Sequence, residues 1–373
     1  AIAAGARPMQ GLSTAVYGPM LGGLFGGSNY NILGPAGALV NILNKYSTLY
    51  GPEIIPYLAF FGGLICLMVY ILKLEKYCML IPISVLEGFS LSVAIAIGFG
   101  QFNFALGLYG LTHHKEFYLN VGETFSNVGS LSATEFVPFL VLFGSLITLL
   151  KMFPGKPWLI LIALIGILYG MLTALLIPSI KPKLIGELYP EMKNPSIYDF
   201  SYLNLKGVSY SVIALGSLQV AFVAVLETLI SARIADNLTG TRFNQSKEVF
   251  GLSLANLLSG ALGGTPCTGV LVRTAVNVKS GATDKISQFI NAIVVFCVIF
   301  IIMPAFVYTP MPCIAAILIT SACRLVPLDV MKELWALDKV EFVILFITAA
   351  VCVLVDGATG LIAGGVNTIL RTA

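Results

Sequence analysis

Thirteen apolar runs recur along the chain, most of them close to the length of one bilayer crossing: 11–27, 30–46, 53–73, 78–100, 134–153, 157–177, 208–235, 247–262, 268–280, 284–308, 309–324, 340–355 and 356–371. A helix needs about 20 apolar residues to span the hydrocarbon core. The 373 residues are 57% apolar and only 10% charged, where an ordinary soluble domain carries about 25% charged residues. The chain therefore reads as an all-α, multi-pass integral membrane protein whose surroundings are the lipid bilayer. Its net charge of +3 gives no reason to expect a nucleic-acid partner. The seven cysteines are scattered in or beside apolar runs, without paired spacing, and read as small packing residues.

Organisation follows from the spacing of the runs. Ala1–Gly5 reads as the tail of an apolar helix whose beginning is missing, which would bring the segments to fourteen. If 1–10 lies outside and the connections alternate, most basic residues fall on the inner side, as the positive-inside rule requires. The longest polar connections are 101–133 and 178–207. The second mixes both charge signs with Pro and aromatics, and reads as the join between two halves, 1–177 (first segment incomplete) and 208–373. The halves share a local pattern. "LFGGSNYNILGPAGALV" in the first and "ALGGTPCTGVLVRTAV" in the second each run from an apolar stretch through Gly-Gly and Pro to small residues that open a new helix. The runs 247–262, 268–280 and 309–324 are too short to span alone. Short, Gly/Pro-interrupted segments mark the broken helices of inverted-repeat transporters, which face one another near the midplane.

A helix that starts inside a membrane has N–H groups without carbonyl partners, and its aligned peptide dipoles leave partial positive charge there. Such an end suits an anion. Gly34–Gly37 and Thr268–Val272 are candidates for two such ends, although Gly and Pro could equally serve only tight packing or a kink. Arg273 adds weight. An arginine at the centre of a span costs about 2.5–3.5 kcal/mol on insertion scales, and a cation in a first helical turn opposes the dipole. Unless Arg273 snorkels to an interface, with Lys279 and Lys285 marking that interface instead, it is placed to hold an anion. Glu227 is the second charge inside a run, and shares a helical face with Gln219 and Ser231. It could neutralise Arg273 in a structural pair, take up a proton, or help bind a cation. Glu87 reads as a boundary residue, His113 and His114 as a solvated pair rather than a metal site, and Asp356 as part of a turn. No phosphate loop, nucleophile elbow or metal-spaced Cys/His cluster occurs. The pattern is that of a carrier without a cofactor, not an enzyme.

At these residues the chain resembles the sulfate permease (SulP) family of anion transporters. The resemblance rests on "RTAVN" (Arg273–Asn277), on "GGTPCTG" (Gly263–Gly269) and "NQSKEVFGLSLANLLSGALGG" (Asn244–Gly264) before it, on Gly11–Leu39 and on "IPISVLEGF" (Ile81–Phe89). It implies a 7+7 inverted-repeat fold with core and gate domains, moving elevator-fashion. It implies an anion held between Gly34, Pro35, Ala36 and Gly37 on one side and Val270, Leu271, Val272 and Arg273 on the other. Glu227 matches the family's acidic position and Ser231 a hydroxyl position one turn on. Val272 stands where the family often has Ser, and the family's cytoplasmic STAS domain is expected to be absent from this chain. The implied function is secondary active transport of a small inorganic oxyanion, sulfate first, coupled to protons through Glu227 and Arg273. Sodium is the less favoured coupling ion, since in sodium-coupled bicarbonate members the acid is usually Asp and the arginine is absent. Alternatives on the same fold are a bicarbonate or chloride exchanger and an anion channel. A homodimer is expected from the same resemblance.

Overall fold

A computed structural model describes residues 1–373 apart from 79–81, 113, 115, 178–179, 206, 356 and 373. The helices that frame the two units include, in chain order, α1 (Pro8–Phe25), α2 (Val40–Tyr50), α3 (Ile54–Ile71), α4 (Ile83–Gly100), α5 (Ala133–Met152), α6 (Trp158–Leu176), α7 (Tyr210–Thr239), α8 (Gln245–Ala261), α9 (Leu271–Lys279), α10 (Ile286–Cys297), α11 (Met311–Leu325), α12 (Lys339–Leu354) and α13 (Gly357–Thr372). Two two-residue strands, β1 (Leu33–Gly34) and β2 (Thr268–Gly269), interrupt this order. Seven helices among the described residues are long and apolar enough to cross a membrane. Helix α10 continues through a π-helical stretch, Val298–Ile302, into Met303–Phe306.

The chain divides into two compact units, and each draws on both halves of the sequence. The first comprises 1–89, 196–300 and 340–373; the second comprises 90–195 and 301–339. In the first unit, α3 and α7 pack with α8 around Leu33, Cys66, Ala224, Leu229, Leu252 and Cys267. Lipid tails are as apolar as these side chains, so close packing rather than exclusion of water holds the helices together, and small residues at the contacts allow it. Gly18, midway along α1, shows the requirement. A Cβ there would lie 3.2 Å from the Cα of Gly34, tighter than ordinary contact, so a side chain at that point would push α1 and β1 apart by a few tenths of an ångström.

Polar contacts close the ends of the first unit. Pro8 opens α1, where its missing N–H removes no bond, and the Arg7 N–H donates to Gln10 Oε1 at 3.1 Å. The Arg7 guanidinium pairs with Glu53, before α3, and with Asp199 Oδ2 at 3.0 Å.

The second unit packs α5, α6 and α11 around Phe139, Leu142, Leu146, Ile162, Cys313 and Ala316. Buried Glu135, in the first turn of α5, accepts the N–H of Lys183 at 2.6 Å and so anchors the connection after α6. Cys66, Cys267, Cys313 and Cys352 are buried, as packing residues should be, whereas Cys297 and Cys323 are exposed.

Candidate functional site

Both interrupted segments lie in the first unit, and a short antiparallel pairing joins them. Leu33 stands opposite Gly269, and Gly34 opposite Thr268. The pairing runs one bond further, because the Val270 N–H donates to the Ile32 carbonyl at 3.0 Å. Immediately after β1, Pro35 and Ala36 lead into a 3-10 turn, Gly37–Leu39, that continues as α2. Immediately after β2, Val270 is the residue before α9. Two helix starts thus leave a shared two-stranded junction, and neither carries a side-chain cap. Their first-turn N–H groups have no intrahelical acceptor.

Arg273 is the third residue of α9, in its first turn. Its Nη1 would stand 2.7 Å from a Cβ built on Gly34, so the guanidinium lies directly over that glycine. Among the described residues the guanidinium has no hydrogen bond and no ion pair within 4 Å. Glu227, on α7, is close enough for its charge to act on Arg273 without touching it. The Glu227 carboxylate instead accepts a hydrogen bond from the Thr268 hydroxyl at 3.1 Å. Thr268 belongs to β2, so the acid reaches the junction through a strand residue. The side chains of Leu271 and Val272 are exposed and apolar, so the polar atoms of these two residues are their backbone groups.

Ser231 occupies a different setting. One turn beyond Glu227, its Oγ lies 2.7 Å from Asn31 Oδ1 and 2.9 Å from Thr274 Oγ1. It is wholly buried behind the junction, in a polar knot with Thr228, Asn31 and Thr274. The Gly269 N–H donates to Thr228 Oγ1 at 2.8 Å, and the Ile32 N–H donates to Thr274 Oγ1 at 3.1 Å. Thr228, Asn31, Thr274 and Glu248, unlike Ser231, escape a reading of the sequence that looks for isolated charges. Only the density of hydroxyl and amide groups beside both Gly-Gly stretches marks them. Gln219, the remaining member of the polar face on α7, lies 3.3 Å from the Tyr46 hydroxyl, which donates to it.

The weaker candidates settle elsewhere. Glu87 lies one turn inside α4. His114 Nε2 is 3.1 Å from Glu123 Oε2, in the connection before α5. His113 and Asp356 lie outside the described residues. No cluster of His, Cys, Asp or Glu among the described residues could hold a metal ion.

The model of the Sulfate permease family matches residues 1–348. The chain belongs to the sulfate permease family. It is thus an integral, multi-pass membrane protein of a family of transporters rather than enzymes. It is similar to YvdB of Bacillus subtilis (strain 168), 29% identical over 364 residues, covering 98% of this chain and 68% of that one. It is 26% identical over 376 residues to the sodium-independent sulfate anion transporter of Bos taurus, covering 94% of this chain and 62% of that protein. The chain therefore spans less than two thirds of the length of the bovine relative. Its fold is that of the transmembrane domain of a cyanobacterial bicarbonate transporter, BicA. The TM-score is 0.78 at 21% identity, over 97% of this chain and 91% of that one.

Proposed function

We propose that the protein is a secondary active transporter of a small inorganic oxyanion, sulfate before bicarbonate. In this reading the two interrupted segments are counterparts from the halves 1–177 and 208–373 of an inverted repeat. The anion sits between Gly34, Pro35, Ala36 and Gly37, which lead from β1 into one helix start, and Val270, Leu271, Val272 and Arg273, which lead from β2 into the other. The observation that carries the reading is the unpaired Arg273 guanidinium over Gly34, between two uncapped helix starts. An intramembrane cation without a protein partner is expensive, and here both neighbouring dipole ends are positive as well. An anion supplies the missing charge and accepts the free N–H groups. A neutral solute could accept the N–H groups but would not supply the charge.

Protonation of Glu227 couples transport to the proton gradient. While charged, Glu227 competes with the anion for Arg273; once protonated it leaves the guanidinium to the anion. No metal or organic cofactor enters the cycle. Sodium is the less favoured coupling ion, a choice supported by the sodium-independent name of the bovine relative. All of the cradle lies in one compact unit, which suits an elevator movement that carries the site as a body. Homodimerisation is part of the same proposal. Exchange of bicarbonate or chloride, with Glu227 permanently ionised, is the second reading, supported by the fold shared with BicA.

The test is uptake of labelled sulfate and bicarbonate by the purified chain in proteoliposomes, with Arg273→Ala beside the wild type. Loss of the guanidinium is expected to weaken oxyanion affinity at least tenfold, on the order of 1.4 kcal/mol. Equal affinity would make the arginine structural and remove the proposal's basis.

A further inference from the structure

The polar knot behind the junction has a hub. Asn31 is 1% exposed, and every hydrogen-bonding position on its amide is used. Its Nδ2 donates to Glu248 Oε1 at 2.7 Å and to the Thr228 carbonyl at 3.3 Å. Its Oδ1 lies 2.7 Å from Ser231 Oγ and 3.0 Å from Thr274 Oγ1. A carboxylate only accepts, so the amide nitrogen must face Glu248 and the amide oxygen must face the hydroxyls. One side chain therefore touches α7 through Thr228 and Ser231, α8 through Glu248, and α9 through Thr274.

Glu248 is the anchor of this hub. It is 2% exposed, in the first turn of α8. Its Oε2 accepts the N–H groups of Gly27, at 2.7 Å, and Ser28, at 2.8 Å. The loop between α1 and β1 is thus bound to α8 at three points, the third being Asn31. Thr274 follows Arg273 directly, and its hydroxyl also takes the Ile32 N–H. A displacement of Asn31 would therefore move β1 and the first turn of α9 relative to each other. Gly269 leaves room for the hub, since a Cβ there would lie 2.8 Å from Asn31 Nδ2.

We propose that Asn31 is a positioning residue. Clamped between Glu248 and the hydroxyls of Ser231 and Thr274, it sets the spacing of the two interrupted segments and so holds Arg273 where an anion meets it. The proposal rests on the cradle reading above. Asn31 does not touch the anion; it acts through Thr274 and β1.

The amide–carboxylate pairing allows a reciprocal test. Asn31→Asp places an acceptor where Glu248 needs a donor, and Glu248→Gln places a donor opposite the donor of Asn31. The double variant Asn31→Asp/Glu248→Gln restores one donor and one acceptor across the 31–248 contact with their roles exchanged, and leaves only the Thr228 carbonyl without its N–H. Uptake of labelled sulfate and labelled bicarbonate is measured for the full chain in proteoliposomes, with Arg273→Ala alongside. Each single variant is expected to raise KM about tenfold with little change in maximal rate, and the double variant to recover to within about threefold, as coupled neighbours do. A purely structural role would lower the amount of active protein and hence the maximal rate, leaving KM alone.

Single variants with wild-type KM, beside an Arg273→Ala variant with raised KM, overturn the positioning role and leave the cradle standing. A silent Arg273→Ala removes the cradle and the positioning role with it. A folded double variant whose KM is no lower than that of either single variant also overturns the proposal. Should the single variants fail to fold, Thr274→Val removes one hydroxyl of the hub at nearly constant volume. Folded Thr274→Val is expected to show the same rise in KM, and an unchanged KM would overturn the proposal.

Discussion

Replacing Gly34 by alanine separates a binding role for Arg273 from a packing role. A methyl group at position 34 would stand 2.7 Å from Arg273 Nη1, where ordinary contact begins at 3.4 Å. Among the described residues beyond its two chain neighbours, Arg273 alone would meet a Cβ there within 4 Å, and the nearest atom is the far end of a flexible side chain. The backbone of β1 can therefore stay in place while the guanidinium retreats by about 0.7 Å, the shortfall from ordinary contact. At an effective dielectric of about 20, a unit-charge pair near 4 Å is worth about 4 kcal/mol, and this retreat removes about 0.6 kcal/mol of it. Misaligning one hydrogen bond to a charged group removes about 1.5 kcal/mol more. The sum, about 2 kcal/mol, corresponds to a loss of roughly thirtyfold in affinity. Equilibrium binding of labelled sulfate to the purified protein measures this, and thermal unfolding in the same detergent reports stability. The expected result is a large loss of affinity with a melting temperature close to that of the wild type. Unchanged affinity in a folded Gly34→Ala protein would refute the placement of the anion beside Arg273.

Other substitutions are expected to behave differently. In Gly269→Ala the new methyl meets the Thr228 Cα at 2.8 Å, a backbone atom that cannot swing aside. That variant should lose about 2 kcal/mol of stability through overpacking, seen as a lower melting temperature; a wild-type melting curve would show that β2 has slack. Glu227→Gln should transport with little dependence on external pH, and a retained pH profile in uptake assays would take Glu227 out of the coupling step. At Asp199, partial burial disfavours the charge, but the Ser201 hydroxyl and N–H and the Arg7 guanidinium outweigh it and hold the carboxyl below its usual range. A lowered carboxylate pKa stabilises the fold above the ordinary value of ~3.9, and that stabilisation is lost as pH falls through the lower folded value. Asp199→Asn should therefore melt below the wild type at neutral pH, with the two curves converging in the acid range. A gap independent of pH would point to packing rather than charge.

Much of the fold was legible because membrane helices announce themselves by length. The run 53–73 became α3 (Ile54–Ile71), 157–177 became α6 (Trp158–Leu176), and the short run 268–280 became β2 and α9. That Arg273 falls in the first turn of a helix was legible for a related reason, since the Gly/Pro break before Val270 marks where that helix starts. The pairing of Leu33–Gly34 with Thr268–Gly269 was not legible. Two-residue strands have no period to detect, and their partners lie in different halves of the chain. Glu248 was hidden for another reason. Beside Lys247 and after Arg242 it looks like an ordinary boundary charge, and only the folded chain brings it to Gly27, Ser28 and Asn31. Ser231 shares a helical face with Glu227 by spacing alone. Yet its hydroxyl is held by Asn31 and Thr274, a choice of partner that spacing cannot foretell.

The most direct measurement is a density map of the protein saturated with selenate, an electron-rich analogue of sulfate. The expected result is one strong tetrahedral feature within hydrogen-bonding distance of Arg273 and of the helix starts at Gly37 and Leu271. A selenate seated elsewhere, with the Arg273 guanidinium unengaged, would contradict the assignment of this junction as the anion site.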